Sequence, residues 1–452
     1  MKKSSMALLA VLLTLSAFFR FYRLFQLMPF TIDEEYVSQL AWTIKQDFHI
    51  IWIGVSAGST NYYLGPGYIY LTTVLYHISQ GNPIVLGIFS SLLGIATTLI
   101  LFWFTKSISN EKVAQAAALV YAANTYIALY DRRYWPPPLG LMGLLILWTI
   151  IAAYKKPTWY IATAALIGFS LHLHLSLLLF VPFFLVALYT TLRQKKITWH
   201  ITLGMIGAYL AITSPLLVYD VLHNADNLKA PFALVTSQGG SLLPSLKTHI
   251  MLAFGVLTKL WSSTVSMNSF DSLIYLFLSL MALVLMFRTP QYRSIRYVGF
   301  VIIAYLCVFI LYPGRIQEYY LAGILPFMCI AIGLLFTTMP KVARVLLVGA
   351  YITIQALSLY TVIEPQSLQA KLKLIHEVQQ VTHKDPITVT TKEDYRLNGG
   401  WHFLFMTQGT LVVEGSAQPL FGWIYQQYEP RTPKAKHQVV IEYTDTGFHY
   451  TL

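Results

Sequence analysis

Long apolar runs separated by short polar turns organise most of this chain. Crossing a bilayer as a helix takes about 17–25 residues. Runs of that kind recur at 6–28, 83–105, 113–130, 138–154, 158–175, 177–192, 198–218, 271–287, 297–312, 319–337 and 342–363, predicting eleven spanning helices. A further apolar piece, Ile250–Trp261, is too short to span. Counting it would also invert the charge bias of the later loops, so it reads as an interfacial or re-entrant helix.

The pattern changes near residue 364, where the chain turns polar. Gln366–Thr382 has a helical period, and Pro386–Thr391, Thr410–Glu414 and Gln438–Thr444 read as strands. The prediction is an all-α polytopic membrane protein with a small C-terminal α/β domain. The transmembrane core covers 1–363, with outer loops near 29–82 and 219–270, and the α/β domain covers 364–452. No internal repeat or low-complexity segment interrupts this plan.

Charge orients the helices. With the N-terminus cytoplasmic, Lys2/Lys3, Lys106/Lys112, Lys155/Lys156, Arg193/Lys195/Lys196, Arg288/Arg293/Arg296 and Lys341/Arg344 fall at every second turn, as the positive-inside rule requires. The C-terminal domain is then extracytoplasmic and the protein sits in the cell membrane. Hydrophobic residues make up 56% and charged residues 11% of the chain, and the mean hydropathy is +0.58; a soluble domain is excluded. The net charge of +12 resides mostly in the inner loops and tail, so nucleic acid is not needed to explain it. Lys2-Lys3 and the apolar stretch from Met6 to Phe19 imitate a signal peptide. No small-residue cleavage site follows, so an uncleaved first span is expected, with Arg20 and Arg23 snorkelling at its outer end. Cys307 and Cys329 lie inside spans and offer no disulfide framework.

The acids are one-sided. Of the ten before position 364, only Glu111 falls on an inner loop; Asp33, Glu34, Glu35, Asp47, Asp131, Asp220, Asp226, Asp271 and Glu318 fall on the outer side. Acids contribute little to orientation, so this bias points towards function. Asp33-Glu34-Glu35 is the densest cluster. Thr31-Ile32-Asp33-Glu34 fits a capping box, and Val37, Leu40, Ala41 and Ile44 recur at helical spacing, so one reading is an amphipathic helix whose acids only cap it. The other is chemical: a carboxylate at the membrane surface can take a proton from an acceptor hydroxyl attacking a lipid-linked sugar. Successive helical residues point about 100° apart, so the three acids cannot converge on one atom.

Other constellations lie on the same side. In Asp131-Arg132-Arg133-Tyr134-Trp135-Pro136-Pro137-Pro138, two arginines oppose the positive-inside trend. A phosphate leaving group would give them work, since arginine donates paired hydrogen bonds to phosphate oxygens. The bland reading is headgroup snorkelling with an Asp131–arginine pair. Tyr62 and Tyr63 stand in an aromatic stretch that is either interfacial belt or sugar contact. His172 and His174 are two residues apart, so they cannot chelate one metal from one helical face. Arg315 is either a second phosphate contact or a partner of Glu318. Asp220, His223 and Asp226 share a face that reads as solvated rather than metal-binding. The acids could hold a divalent cation, but no ligand spacing demands one.

Arg20-Phe21-Tyr22-Arg23-Leu24, followed by Asp33-Glu34 after the first span, resembles the opening of the GT-C membrane glycosyltransferases. The nearest branch is that of protein O-mannosyltransferases and aminoarabinose-type lipid A transferases, and the likeness extends roughly to residue 340, more weakly after position 190. The resemblance implies a polyprenyl-phosphate sugar as donor, a hydroxyl on a glycan, lipid or protein as acceptor, and inversion at the anomeric carbon. It implies Asp33 as base with Glu34 beside it. The family's arginine-aromatic-proline pattern falls on Arg133 and Trp135-Pro136, its histidine and small polar residue on His174 and Ser176, and its basic-aromatic segment on Arg315 to Tyr320. Where the family often has His-Pro-Pro, this chain has Leu64-Gly65-Pro66. The alternatives are a transporter or flippase of lipid-linked glycans, which should carry ionisable groups deep in its spans, a polymerase using a lipid-diphosphate donor, and a membrane scaffold whose acids are only caps.

Overall fold

In a computed structural model of the protein, the described residues are 3–56, 62–135, 138–230, 242–265, 272–311, 318–393, 395, 399–413, 434–444 and 447–452. Apolar helices make a multi-pass membrane bundle. They are α1 (Lys3–Phe21), α2 (Leu24–Leu27), α3 (Ile32–Gln46), α4 (Gly67–Ser79), α5 (Ile84–Ile108), α6 (Glu111–Ala122), α7 (Thr125–Tyr130), α8 (Leu139–Ala153) and α9 (Trp159–Ser170). The bundle continues with α10 (Phe180–Arg193), α11 (Trp199–Leu222), α12 (Leu242–Val265), α13 (Ser272–Arg288), α14 (Arg296–Leu311), α15 (Leu325–Thr338) and α16 (Lys341–Thr361). Each of the eleven expected spans coincides with a helix or a helix pair. Among the described residues five helical stretches are long and apolar enough to cross a membrane by themselves, and others, such as α8 and α9, are shorter.

One apolar piece is part of a longer helix, and one expected span is broken, each for a physical reason. The piece at Ile250–Trp261 belongs to a 24-residue helix, α12, about 36 Å long at 1.5 Å per residue. Polar residues such as Lys247 and His249 mask its length in a hydropathy profile, while packing on α13, α14 and α15 supports it. The span at 113–130 is broken after Ala122. Asn124 caps α7 by accepting the Ile127 N–H at 2.7 Å and donates to the Thr264 carbonyl and the Tyr351 hydroxyl. Gln355 accepts the Thr125 N–H at 2.8 Å. These buried side chains satisfy the backbone groups freed by the break, which an apolar medium demands. The break aims α7, and the charged loop that follows it, back over the first helix.

The polar C-terminal segment forms α17 (Leu368–Thr382), α18 (His402–Thr407) and a three-stranded sheet ordered β1 (Ile387–Thr391), β2 (His437–Thr444), β3 (Gly447–Thr451). β1 and β2 are parallel, and β2 and β3 antiparallel. The stretch expected as a strand from 410 pairs only through a bridge between Val412 and Ile387, and β3 joins the sheet in its place. This segment docks on the start of α3: Leu368 N–H donates to the Met28 carbonyl and Phe30 N–H to the Gln366 carbonyl. Phe403 stacks on Phe30 and Tyr76, with ring centroids 6.0 and 5.4 Å apart.

Candidate active site

The capping-box reading of Thr31–Glu34 is correct as far as it goes. Glu34 is fully buried, and its Oε2 accepts the Thr31 N–H at 2.9 Å and the Thr31 hydroxyl at 2.6 Å. Its other oxygen, Oε1, accepts the Trp135 N–H at 3.2 Å. One carboxylate therefore caps α3 and ties it to the arginine loop. Glu35 is equally buried and faces the C-terminal segment, accepting from the Tyr395 hydroxyl, Gly400 N–H and Phe403 N–H.

Asp33 differs from both. It stays accessible to solvent, yet protein hems it in on its inner side. That burial, with the Glu34 charge second, pushes its pKa up to about 6, against a downward pull from the Arg133 guanidinium. Such a carboxylate is still mostly ionised at neutral pH and is more basic than an ordinary aspartate, the compromise general-base catalysis favours.

The basic loop divides in the same way. Arg132 is fully buried; its Nε donates to the Arg20 carbonyl at 3.0 Å, and its Nη2 to the Phe19 and Tyr22 carbonyls at 2.7 Å each. It thus satisfies the open C-terminus of α1. Of the two arginines expected as a phosphate clamp, Arg132 thus spends its Nε and Nη2 on backbone carbonyls. Arg133 is half-buried, and its charge reaches Asp33. It borders a cleft whose walls combine Tyr121 and Asp131 with Leu93 and Thr97 of α5, Leu141 of α8 and Pro326 of α15. Glu364, in the link to the C-terminal segment, also feels the charges of Arg133 and Glu34; burial, its largest influence, pushes its pKa upward. Nothing in the sequence places it there, because the link is more than 200 residues away.

Asp131 does have an arginine partner, but that partner is Arg20. The Nε and Nη2 of Arg20 donate to Asp131 Oδ2 at 2.9 and 2.6 Å, and the Tyr121 hydroxyl donates to the same carboxylate. Arg20 has no exposed surface, and Arg23 donates to the Tyr360 carbonyl at 2.8 Å. The expected snorkelling of Arg20 is therefore replaced by bonds inside the protein, while Arg23 stays partly exposed. Gly94 makes room: a Cβ there would lie 2.4 Å from Arg20 Nε and 2.5 Å from Asp131 Oδ2.

The remaining candidates sit elsewhere. Tyr62 is buried, and Tyr63 exchanges backbone hydrogen bonds with the Asn227 side chain while its ring meets Tyr219 of α11. His174 caps the turn after it, its Nδ1 accepting the Ser176 N–H at 3.1 Å, and its ring lies against Tyr319 and Tyr320. The structure does not bring these three into the hydrogen bonds that organise the acidic turn. His172 accepts the Gly67 N–H on Nδ1 and donates from Nε2 to the Ile212 carbonyl; a Cβ at Gly65 would collide with its ring. A Cβ at Gly67 would also crowd that ring, 3.0 Å from Nδ1, so both glycines make room for His172. Asp220 accepts the Asn227 and Leu228 N–H groups and shapes a turn. Arg315 lies outside the described residues, as do Pro136, Pro137 and Asp271. Among the described residues no three His, Cys, Asp or Glu side chains are arranged to hold a metal ion.

No known family model and no curated relative matches the chain. Solved structures do. ArnT from Cupriavidus metallidurans in the apo state aligns with a TM-score of 0.62 at 13% identity, covering 98% of this chain and 93% of ArnT. ArnT bound to undecaprenyl phosphate aligns at 0.60, again at 13% identity, over 99% and 94%. An oligosaccharyltransferase from Archaeoglobus fulgidus aligns at 0.47 and 13% identity over 90% of this chain and 62% of its own. The likeness to ArnT shows the fold, which is of the GT-C class.

Proposed function

We propose that this protein is an integral-membrane glycosyltransferase that moves a sugar from a polyprenyl phosphate to an acceptor hydroxyl on the outer face of the cell membrane, with its N-terminus cytoplasmic and its C-terminal domain outside. The observation that carries the reading is an exposed carboxylate on the first turn of α3, Asp33, within electrostatic reach of a guanidinium, Arg133, that borders a partly apolar cleft. The acceptor oxygen attacks the anomeric carbon while the bond from that carbon to the phosphate oxygen breaks. The polyprenyl phosphate leaves with the bonding electrons, and the acceptor proton passes to Asp33. Displacement from the opposite side inverts the anomeric centre. Arg133 donates to the phosphate oxygens as their charge grows, which is where a preorganised cation lowers the barrier most. Arg315 is a second candidate donor to that phosphate, and Tyr62, Tyr63 and His174 are candidates for contacts with the rest of the substrates. The likeness to ArnT, one of whose structures holds undecaprenyl phosphate, supports the donor class.

The test is purified protein supplied with a panel of undecaprenyl-phosphate hexoses and pentoses and membrane glycolipid, following free undecaprenyl phosphate and sugar-linked product together. The two are expected to rise in equal amounts. Donor loss without product, or movement of intact donor across a liposome, would sink the transferase reading.

A further inference from the structure

Three neighbouring acids leave the first turn of α3 in different directions, and the last of them has no part in the chemistry just described. Asp33 and Glu35 are two helical steps apart and so point about 200° from one another. Asp33 is exposed within reach of the Arg133 charge, whereas Glu35 is sealed on the other side of the helix beneath the C-terminal segment. All three donors to Glu35 come from that segment: Tyr395 O–H at 2.8 Å, Gly400 N–H at 2.9 Å and Phe403 N–H at 3.0 Å. Lys371 lies within reach of the Glu35 charge; its ammonium donates to the Phe30 carbonyl at 2.7 Å and to the Gly399 carbonyl, and lies over the Trp401 ring. The approach leaves no slack. Gly400 adopts φ +100°, and a Cβ there would sit 2.5 Å from the Phe30 carbonyl.

A buried carboxylate needs its lone pairs filled and its charge answered, and here residues some 360 positions downstream do both. The first turn of a helix lacks internal acceptors for its N–H groups and frays most readily. This turn also holds the base.

We propose that Glu35 is a positioning residue for sugar transfer, clamping the first turn of α3 to the C-terminal segment so that Asp33 keeps its place relative to Arg133. The proposal rests on the reading of Asp33 as the base. It gives the C-terminal segment a role in the reaction although none of its side chains need touch substrate.

The test compares full-length wild type, Glu35→Gln and Tyr395→Phe, with Gln379→Ala as a control. Gln379 bonds within the C-terminal segment, to Gln408 and Thr410. The donor is an undecaprenyl-phosphate sugar that the wild type turns over. A misplacement of about 1 Å costs a reaction roughly 100-fold; Glu35→Gln is expected to lose about 10- to 100-fold in kcat, with the donor KM within about twofold, and Tyr395→Phe less. Glu34 and Arg133, the groups whose charges act on Asp33, are unchanged in all variants. The acid limb of kcat should therefore move below its wild-type position near pH 6 in Glu35→Gln, because a loosened turn lets water onto the side of Asp33 that protein now covers. Gln379→Ala should melt earlier and keep that limb in place. A folded Glu35→Gln enzyme with wild-type kcat and an unmoved limb overturns the proposal and leaves the transferase reading standing. A wild type that transfers no sugar overturns both.

Discussion

The acidic turn at 33–35 and the basic loop at 131–133 are each three consecutive charged residues, and each turns one of them towards the shared site. Asp33 and Arg133 lie within reach of each other's charge, while their neighbours are used inside the protein. The difference lies in what those neighbours hold. Glu34 and Glu35 reach forward, to Trp135 and to residues 395–403. Asp131 and Arg132 reach back, to Arg20 and the last carbonyls of α1. The phosphate side of the proposed site is therefore built into the membrane bundle early in the chain. The base depends on a segment that must dock from outside it.

The comparison breaks most sharply at the arginines. Arg133→Ala is expected to reduce kcat/KM by roughly 100-fold or more, the usual loss of one donor to a developing oxyanion, with little change in melting temperature. Arg132→Ala should do the reverse. It removes bonds from a charged donor to three carbonyls, each worth about 1.5–3 kcal/mol, so a lower melting temperature and yield are expected, with the donor KM of the folded fraction unchanged. Equal effects of the two substitutions on donor KM would contradict the division of labour.

Gly94→Ala probes the anchoring of the basic loop alone. The methyl group would force Arg20 and Asp131 apart, and separating a buried ion pair costs about 3–5 kcal/mol; a fall in melting temperature of the whole bundle is the expected readout. If Gly94→Ala melts like wild type, the pair is not what holds the loop.

The smallest effect concerns the docked segment. Burial pushes the Lys371 pKa down to about 7, with Glu35 the main charge opposing the shift. Between pH 7 and the ordinary lysine range the unfolded chain binds the extra proton, so stability should rise with pH across that interval and level off below it. Melting curves between pH 6 and 9 should show the rise in wild type and lose it in Lys371→Met.

Most helices of the bundle are legible in the sequence because long apolar runs have few other fates in a membrane protein. The cap of α3 is legible too, since Thr31 and Glu34 stand at the spacing a capping box needs. What adjacent residues do is not. Arg132 and Arg133 have the same side chain and neighbouring positions, and only the placement of α1 beneath the loop separates them. The partner of Asp131 is 111 positions away, beyond any local pattern. Glu35 looks like a surplus acid until the segment near residue 400 folds over it. Glu364 joins the charged cluster by the same long-range route.

The central claim, that Asp33 is the base of a sugar transferase, is tested most directly by the pH dependence of kcat for wild type and Asp33→Asn with a polyprenyl-phosphate sugar. A base must be ionised to accept the proton, so wild-type activity should hold above pH 6 and fall as the pH drops through about 6. Asp33→Asn should lack that limb and run about 100- to 10,000-fold slower, the range for loss of a general base. A folded Asp33→Asn protein turning over at the wild-type rate, with the limb intact, would contradict it.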